Sequence, residues 1–179
     1  PPPAIEVAPI SVLLGTGEVR GRSVYVADMV TGKSLHEENA EALRFPASLT
    51  KMMTLFLLFE AVETGRLSLA SGLPDPMQVT TALDMAILGR ALKTRYPRFA
   101  PYFRTEEFTY AGRRYEATNK LLGKVRGVDG IKTGYVRMSG FNLVASVNRR
   151  GRRLIVVVMG GRTGRERDQE VTELIERYL

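Results

Sequence analysis

The chain has 179 residues, 44% of them hydrophobic and 25% charged, which is typical of a soluble globular domain. It has no cysteine and one histidine, which excludes disulfides, thiolate metal sites, His-rich metal clusters and any catalytic scheme that needs two histidines. The net charge of +7 could attract nucleic acid, a membrane surface or an anionic cell wall; no zinc-finger spacing or aromatic RNA-binding motif favours nucleic acid.

The first 21 residues form a proline-rich arm without the basic-then-apolar order of a signal peptide, so an exported protein would already have lost its signal from this sequence. No run of 18 apolar residues predicts a membrane span. Residues 22–39 alternate around Val24 and Val26 and turn at Thr31-Gly32, which predicts a β-hairpin. His36 lies near its end with no triad partner nearby, so we expect a solvent-exposed, structural residue.

Two helices are predicted next. The first begins near Ser48 and ends at Gly65, and because it is apolar nearly all round from Leu49 to Val62 it should be buried on every side. The second lies within residues 79–97, capped by Thr80 or Thr81. Its expected core face comprises Leu83, Ile87, Leu88 and Ala91.

The remaining pattern is mostly β. A short hairpin is predicted around Ala111-Gly112, followed by strands over 127–136, 140–148 and 153–161. The chain closes with an amphipathic helix whose apolar positions are Val171, Leu174, Ile175 and Tyr178. This order lacks strand–helix alternation and predicts an α+β fold, an antiparallel sheet flanked by helices.

Ser48 and Lys51 lie one turn apart, so their side chains can touch. A serine hydroxyl needs a base to become a nucleophile, and burial or a second cation can make a lysine that base. The helix start also offers backbone N–H groups to a developing negative charge. The simpler interpretation is a capping serine and a lysine that extends to water.

The stretch "DGIKTGY", residues 129–135, favours the catalytic interpretation. Lys132 and Thr133 can hold an anionic group, and Gly134 indicates that another backbone or a ligand comes close to the strand. A peptide could lie along the strand edge. Ser-x-x-Lys together with Lys-Thr-Gly is typical of penicillin-binding proteins and class A β-lactamases. We therefore expect Lys51 and Lys132 to line the same cleft.

Consecutive blocks of residues 22–179, among them "FPASLTKMMTLFLLFEAVETGRLSL" and "SGFNLVASVNRRGRRLIVVVMGG", resemble the D-alanyl-D-alanine carboxypeptidases, the low-molecular-mass penicillin-binding proteins. The resemblance implies a D,D-peptidase domain over 22–179 that needs no cofactor or metal and cleaves peptidoglycan stem peptides through an acyl-enzyme. Ser48 would be the nucleophile and Lys51 the base. β-Lactam antibiotics would acylate the same serine.

The resemblance also implies substrate-binding roles. The N–H groups of Ser48 and Tyr135 would form the oxyanion hole, Lys132 and Thr133 would hold the terminal carboxylate beside Gly134, and Thr118 and Asn119 would line the site. The protein would work in the periplasm or elsewhere outside the cytoplasmic membrane. The family's C-terminal β-rich domain and membrane-binding tail are missing here, so contact with a membrane surface would need that tail.

The sequence departs from the family at the Ala70–Ser71 junction. Family members carry a helical lobe with a Ser-x-Asn motif there, and no Ser-x-Asn occurs between Ser48 and Lys132. Either the lobe is deleted, or it belongs to the molecule and Ala70 and Ser71 are not peptide-bonded neighbours, which is what we expect. The alternatives to a carboxypeptidase are a D,D-endopeptidase, a β-lactamase whose deacylating glutamate we do not find, and a non-catalytic peptidoglycan-binding relative.

Overall fold

The structure, a computed structural model, describes residues 21–63 and 79–179. Its main sheet is antiparallel and has the strand order β2-β1-β7-β6-β5. The five strands are β1 (Ser23–Asp28), β2 (Ser34–Glu38), β5 (Val128–Val136), β6 (Gly140–Arg149) and β7 (Arg152–Gly161). A separate two-stranded ribbon pairs β3 (Glu107–Tyr110) with β4 (Arg113–Glu116). Both predicted hairpins and the three predicted long strands are confirmed.

Three α-helices lie among the described residues: α1 (Thr50–Glu63), α2 (Ala82–Arg95) and α3 (Gly164–Tyr178). A 3₁₀ turn over Ala47–Leu49 leads into α1, and a 3₁₀ helix over Pro97–Arg104 connects α2 to the ribbon. The Thr81 side chain accepts a hydrogen bond from the Asp84 amide at 3.0 Å, which confirms the predicted cap of α2. The predicted α+β class, an antiparallel sheet flanked by helices, is therefore confirmed.

The sheet separates two apolar cores, because alternate residues of each strand point to opposite faces. On one face α1 and α2 pack against the sheet through side chains that include Met52, Leu92, Val144, Ile155 and Val157. On the other face α3 packs through Val171, Leu174 and Ile175 against Val24, Val156 and Val158. The turn that begins α1 and the strand β5 are thereby fixed to one rigid sheet.

Two predictions about which helix faces are buried are wrong. Helix α1 is not enclosed on every side, since Met53 and Leu57 are 46% and 47% exposed and Leu58 is also exposed. On α2 only Leu88 of the expected face is buried, while Ile87 is 59% exposed. Besides Leu88, the buried side of α2 is formed by Ala82, Met85, Ala86, Gly89, Leu92 and Lys93. Gly89 allows this close packing, because a Cβ there would lie 2.9 Å from the Ile155 side chain.

His36 is half-buried rather than solvent-exposed, and its ring centroid lies 5.9 Å from that of Tyr178. The proline-rich arm, the predicted helix end at Gly65 and the Ala70–Ser71 junction lie outside the described residues. Within 21–63 and 79–179 no helix is long and apolar enough to cross a membrane.

Candidate active site

The turn that carries Ser48 packs directly on the strand that carries Gly134. A Cβ on Gly134 would lie 3.2 Å from the amide nitrogen of Ser48 and 3.0 Å from the carbonyl oxygen of Pro46. Strand β5 is the outer strand of the main sheet, so its other edge is not occupied by a strand of that sheet. The Ser-x-x-Lys turn and the Lys-Thr-Gly strand therefore meet at one sheet edge, and Gly134 allows the close approach expected from its position in the sequence.

The backbone just before Ser48 is unusual. Ala47 has φ = +49°, in the left-handed region that residues with a side chain seldom adopt. The Leu49 amide closes the 3₁₀ turn by donating to the Pro46 carbonyl at 3.0 Å. Strained backbone of this kind is concentrated at functional sites, where the surrounding fold holds it in place.

The two predicted site lysines lie close enough to interact. The pKa of Lys132 is held below its ordinary value, first by burial and second by the positive charge of Lys51. The Lys132 ammonium donates to the Thr133 carbonyl at 2.6 Å. Lys51 itself is exposed, so the burial expected for it is wrong. Met53 and Leu57 on the same helix are exposed as well.

Thr118 and Asn119 have different environments. The Thr118 and Thr133 hydroxyl oxygens are 2.7 Å apart, so Thr118 lies at the Lys-Thr-Gly strand. Asn119 is buried, and its side chain accepts from the Leu121 amide at 3.2 Å and donates to the Gly130 carbonyl at 3.4 Å. Asn119 therefore holds the turn that presents Thr118, and its amide is directed at backbone groups.

Tyr135 follows Gly134 at the exposed end of the site. Its side chain is 53% exposed, and its ring lies 4.2 Å, centroid to centroid, from that of Phe141 on the neighbouring strand. The two residues are cross-strand partners in the β5–β6 register. Because side chains alternate along a strand, this pair lies on the face of the sheet opposite the Ser48 turn, where the Phe141 ring packs beside Gly164 of α3.

Asn142 is a residue that the sequence reading missed. It is fully buried, pairs with Gly134 across β5 and β6, and donates from its side chain to the Phe45 carbonyl at 3.2 Å and the Pro46 carbonyl at 3.5 Å. Its side-chain oxygen accepts from the Gly160 amide at 3.0 Å. The Asn142 side chain thus links the segment that leads into Ser48 to the centre of the sheet by hydrogen bonds. A polar residue in the apolar stretch "FNLVASV" was the available signal, since buried amides are almost always bonded.

A second missed group anchors the start of β5. The buried Lys93 ammonium on α2 lies 2.9 Å from the Asp129 carboxylate and also donates to the Asp129 carbonyl at 3.1 Å. Ser146 donates to the same carboxylate at 2.5 Å. Burial lowers the pKa of Lys93, and the hydrogen bond that its ammonium donates to Asp129 opposes that shift. This ion pair fixes the strand three residues before Lys132.

The arrangement combines a hydroxyl, two ammonium groups and backbone amides at the open edge of an antiparallel strand. A peptide can add to that edge through main-chain hydrogen bonds. An anionic end group of the peptide would be attracted by Lys132 beside Thr133. Such a set of groups suits acyl transfer from a peptide that carries a carboxylate.

Comparison with known proteins gives relatives in both sequence and fold. The sequence model of the family described as D-alanyl-D-alanine carboxypeptidase matches residues 10–71 and 68–163. A curated relative, the D-alanyl-D-alanine carboxypeptidase DacA of Escherichia coli K12, is 26% identical over 250 aligned residues, which include 92% of this chain and 62% of the relative. The chain thus spans about three fifths of that relative's length, and the alignment is longer than the chain itself.

Two solved structures share the fold. Penicillin binding protein 5 from Haemophilus influenzae has a TM-score of 0.80 at 24% identity, over 91% of this chain and 72% of that one. Penicillin-Binding Protein D2 from Listeria monocytogenes, in the cefotaxime-bound form, has a TM-score of 0.78 at 22% identity, over 86% and 95%. Since the family model matches most of the residues, the chain belongs to the D-alanyl-D-alanine carboxypeptidase family of peptidases.

Proposed function

We propose that the protein is a serine-type D-Ala-D-Ala carboxypeptidase that acts on peptidoglycan stem peptides. Ser48 attacks the carbonyl between the last two D-alanines, and Lys51 takes the hydroxyl proton. The negative charge that develops on the carbonyl oxygen is held by the amides of Ser48 and Tyr135. The terminal D-alanine leaves with a proton, and water then hydrolyses the acyl-serine.

Lys132 and Thr133 bind the terminal carboxylate in this proposal, and Thr118 supports the Thr133 hydroxyl at 2.7 Å. The single observation that carries the proposal is the contact between Gly134 and the backbone of Ser48, because it brings the Ser-x-x-Lys turn against the Lys-Thr-Gly strand. The charge of Lys51 acting on Lys132 supports the same arrangement.

Two further properties belong to the proposal. β-Lactams acylate Ser48 by ring opening, a proposal supported by the cefotaxime-bound form of the Listeria relative. Because D-alanine-terminated stem peptides occur outside the cytoplasmic membrane, the protein works in the periplasm or an equivalent compartment. Finding the native protein in the cytosolic fraction would argue against the proposed peptidase function.

A second candidate function is a non-catalytic peptidoglycan-binding relative. It is favoured by the exposure of Lys51 and by the absence of a Ser-x-Asn sequence between Ser48 and Lys132. A binding function needs no base for Ser48, so it is compatible with an exposed Lys51. In this case the edge of β5 would bind a stem peptide without cleaving it.

Labelling with a fluorescent penicillin separates the two functions. An assembled serine site becomes covalently labelled, and Ser48→Ala abolishes the label while thermal unfolding stays nearly unchanged. If Ser48→Ala is still labelled, Ser48 is not the nucleophile. If the unaltered chain is not labelled but binds a peptide that ends in D-Ala-D-Ala, the non-catalytic function is the correct one.

A further inference from the structure

The ribbon β3–β4 has two exposed faces of contrasting chemistry. In its register Phe108 is opposite Tyr115 and Tyr110 is opposite Arg113, so these four side chains share one face, the aromatic face. All eight strand residues are exposed, with Phe108 57% and Tyr110 71% accessible. The apolar cores of the main sheet include none of the four.

The other face is charged and lies toward a cleft. It carries Glu107, Thr109, Arg114 and Glu116, and Arg114 forms an ion pair with Glu107. A polar cleft is lined there by Glu107, Arg114 and Glu116 together with the loop that contains Lys120. The ribbon therefore has ion pairing on the cleft side and aromatic rings on the side that faces solvent.

The aromatic face is flat. The rings of Phe108 and Tyr115 are 5.1 Å apart, centroid to centroid, with only 13° between their planes. Flat rings stack well on flat partners, and their faces are attracted to the positively polarised C–H groups of sugar rings. Arg113 adds a planar cation that can bind a carboxylate.

The small size of the ribbon favours a linear polymer over a folded protein. Four residues per strand span about 13 Å, and the two strands are about 5 Å apart. A second copy of the chain would need about 800 Å² of buried surface on each partner for a stable interface, far more than this face provides. A sugar chain needs only a narrow row of contacts.

The ribbon is continuous with the candidate active site. Strand β4 ends at Glu116, two residues before Thr118, whose hydroxyl is 2.7 Å from that of Thr133. Two residues span at most about 7 Å. We propose that the aromatic face binds the glycan strand of peptidoglycan, so that a stem peptide attached to the bound glycan reaches Lys132 and Thr133 on strand β5. This inference rests on the proposed function, because it takes peptidoglycan as the substrate.

The test compares the two faces of the ribbon. The double variant F108A/Y110A removes two rings of the aromatic face, and T109A on the opposite face is the matched control. Both are made with Ser48→Ala, which keeps the substrate intact, and binding is measured by sedimentation with insoluble peptidoglycan. We expect F108A/Y110A to bind about tenfold more weakly, equivalent to ~1.4 kcal/mol, and T109A to bind normally. Glycan strands freed of their peptides should compete for the protein.

Separate measurements keep this inference apart from the proposed function. In the Ser48 background, F108A/Y110A should leave penicillin labelling and the KM for a soluble stem peptide unchanged. If the unaltered chain is not labelled by penicillin, the proposed carboxypeptidase activity is wrong, while the measured binding of glycan by the aromatic face still holds. Equal binding by F108A/Y110A and T109A, or no competition by peptide-free glycan, would overturn the inference. So would loss of self-association in F108A/Y110A, which would make a second copy the occupant.

Discussion

Gly134 and Ser48 are separated by 86 positions in the chain, yet a single methyl group on Gly134 would lie 3.2 Å from the Ser48 amide nitrogen. The other close atoms are the Leu49 amide nitrogen and the Pro46 carbonyl oxygen, which are also backbone and cannot rotate away. This contact makes the nucleophile turn and strand β5 one structural unit. Its energetic consequence can be measured.

Gly134→Ala should push the Ser48 turn away from β5. Overpacking of this kind costs about 1–3 kcal/mol of stability, and the displaced Ser48 amide should lower the rate of penicillin acylation by at least tenfold. Gly164→Ala is the matched control, since its Cβ would have only ordinary contacts, the nearest at 3.5 Å from the Phe141 ring. Acylation by Gly134→Ala at the unaltered rate would show that this contact does not organise the site.

The two lysines should respond differently to the same substitution. Lys51→Arg should lose acylation, because arginine cannot give up its proton at neutral pH and so cannot activate Ser48. Lys132→Arg keeps a cation for the substrate carboxylate and should lose less, mainly through a higher KM. Stopped-flow acylation and steady-state hydrolysis of a stem peptide give the two effects. Equal, mild losses in both variants would contradict this division of roles.

The sequence predicted the structure best where a residue type has one well-defined effect on the local backbone. Gly134 predicted a close backbone approach, and Thr81 predicted a helix start, because glycine and capping hydroxyls act locally. The motifs at Ser48 and Lys132 were sufficient to predict that two distant segments come together, as the contact between Gly134 and the Ser48 backbone shows. The long apolar strands likewise needed only local pattern.

The wrong predictions concern which side of a helix is buried. Helix α1 is apolar on both sides, and periodicity alone could not predict that Met53 and Leu57 would be exposed and Lys51 solvated. On α2, small residues such as Gly89 lie against the sheet because they permit close packing, while Ile87 points outward. Asn142 and Lys93 were missed because the partners that satisfy a buried polar group are distant in sequence.

Substrate binding should depend on pH through Lys132. Its lowered pKa means that the ammonium loses its proton at a lower pH than an ordinary lysine, and only the ammonium attracts a carboxylate. The affinity of Ser48→Ala for a peptide that ends in D-Ala-D-Ala should therefore be full below that pKa and fall as the pH rises through it. In the unfolded chain Lys132 keeps its proton up to the ordinary lysine pKa of about 10.4, whereas in the folded chain it loses the proton at a lower pH. Between these two pKa values the unfolded state binds more protons, so the free energy of unfolding rises with pH.

Titration calorimetry at several pH values measures this dependence. In the Ser48→Ala background, Lys132→Arg should bind with an affinity that does not change over the range, because its guanidinium stays charged. Lys51→Gln removes the neighbouring positive charge and should move the loss of binding to higher pH. A wild-type-like pH dependence in Lys132→Arg would assign the effect to another group.

Asn142 should act as a positioning residue for Ser48. Asn142→Leu removes the donor to the Phe45 carbonyl and the acceptor for the Gly160 amide, leaving buried backbone groups without these partners at a cost of about 1–3 kcal/mol each. Asn142→Asp keeps an acceptor for Gly160 but cannot donate to Phe45 when ionised. Both variants should lower the acylation rate constant while the initial penicillin affinity changes little.

Arg167→Gln distinguishes positioning from general loss of stability. Arg167 is also buried and donates to the Asn142 backbone carbonyl at 2.9 Å, so its loss should destabilise the fold while the side-chain bonds to Phe45 remain. Hydrogen exchange of the Leu49 amide, which closes the Ser48 turn on Pro46, reports on the turn even in a chain without activity. We expect faster Leu49 exchange and slower acylation in Asn142→Leu than in an equally destabilised Arg167→Gln. Identical behaviour in the two variants would make Asn142 only a core residue, because lost stability alone would then account for both effects.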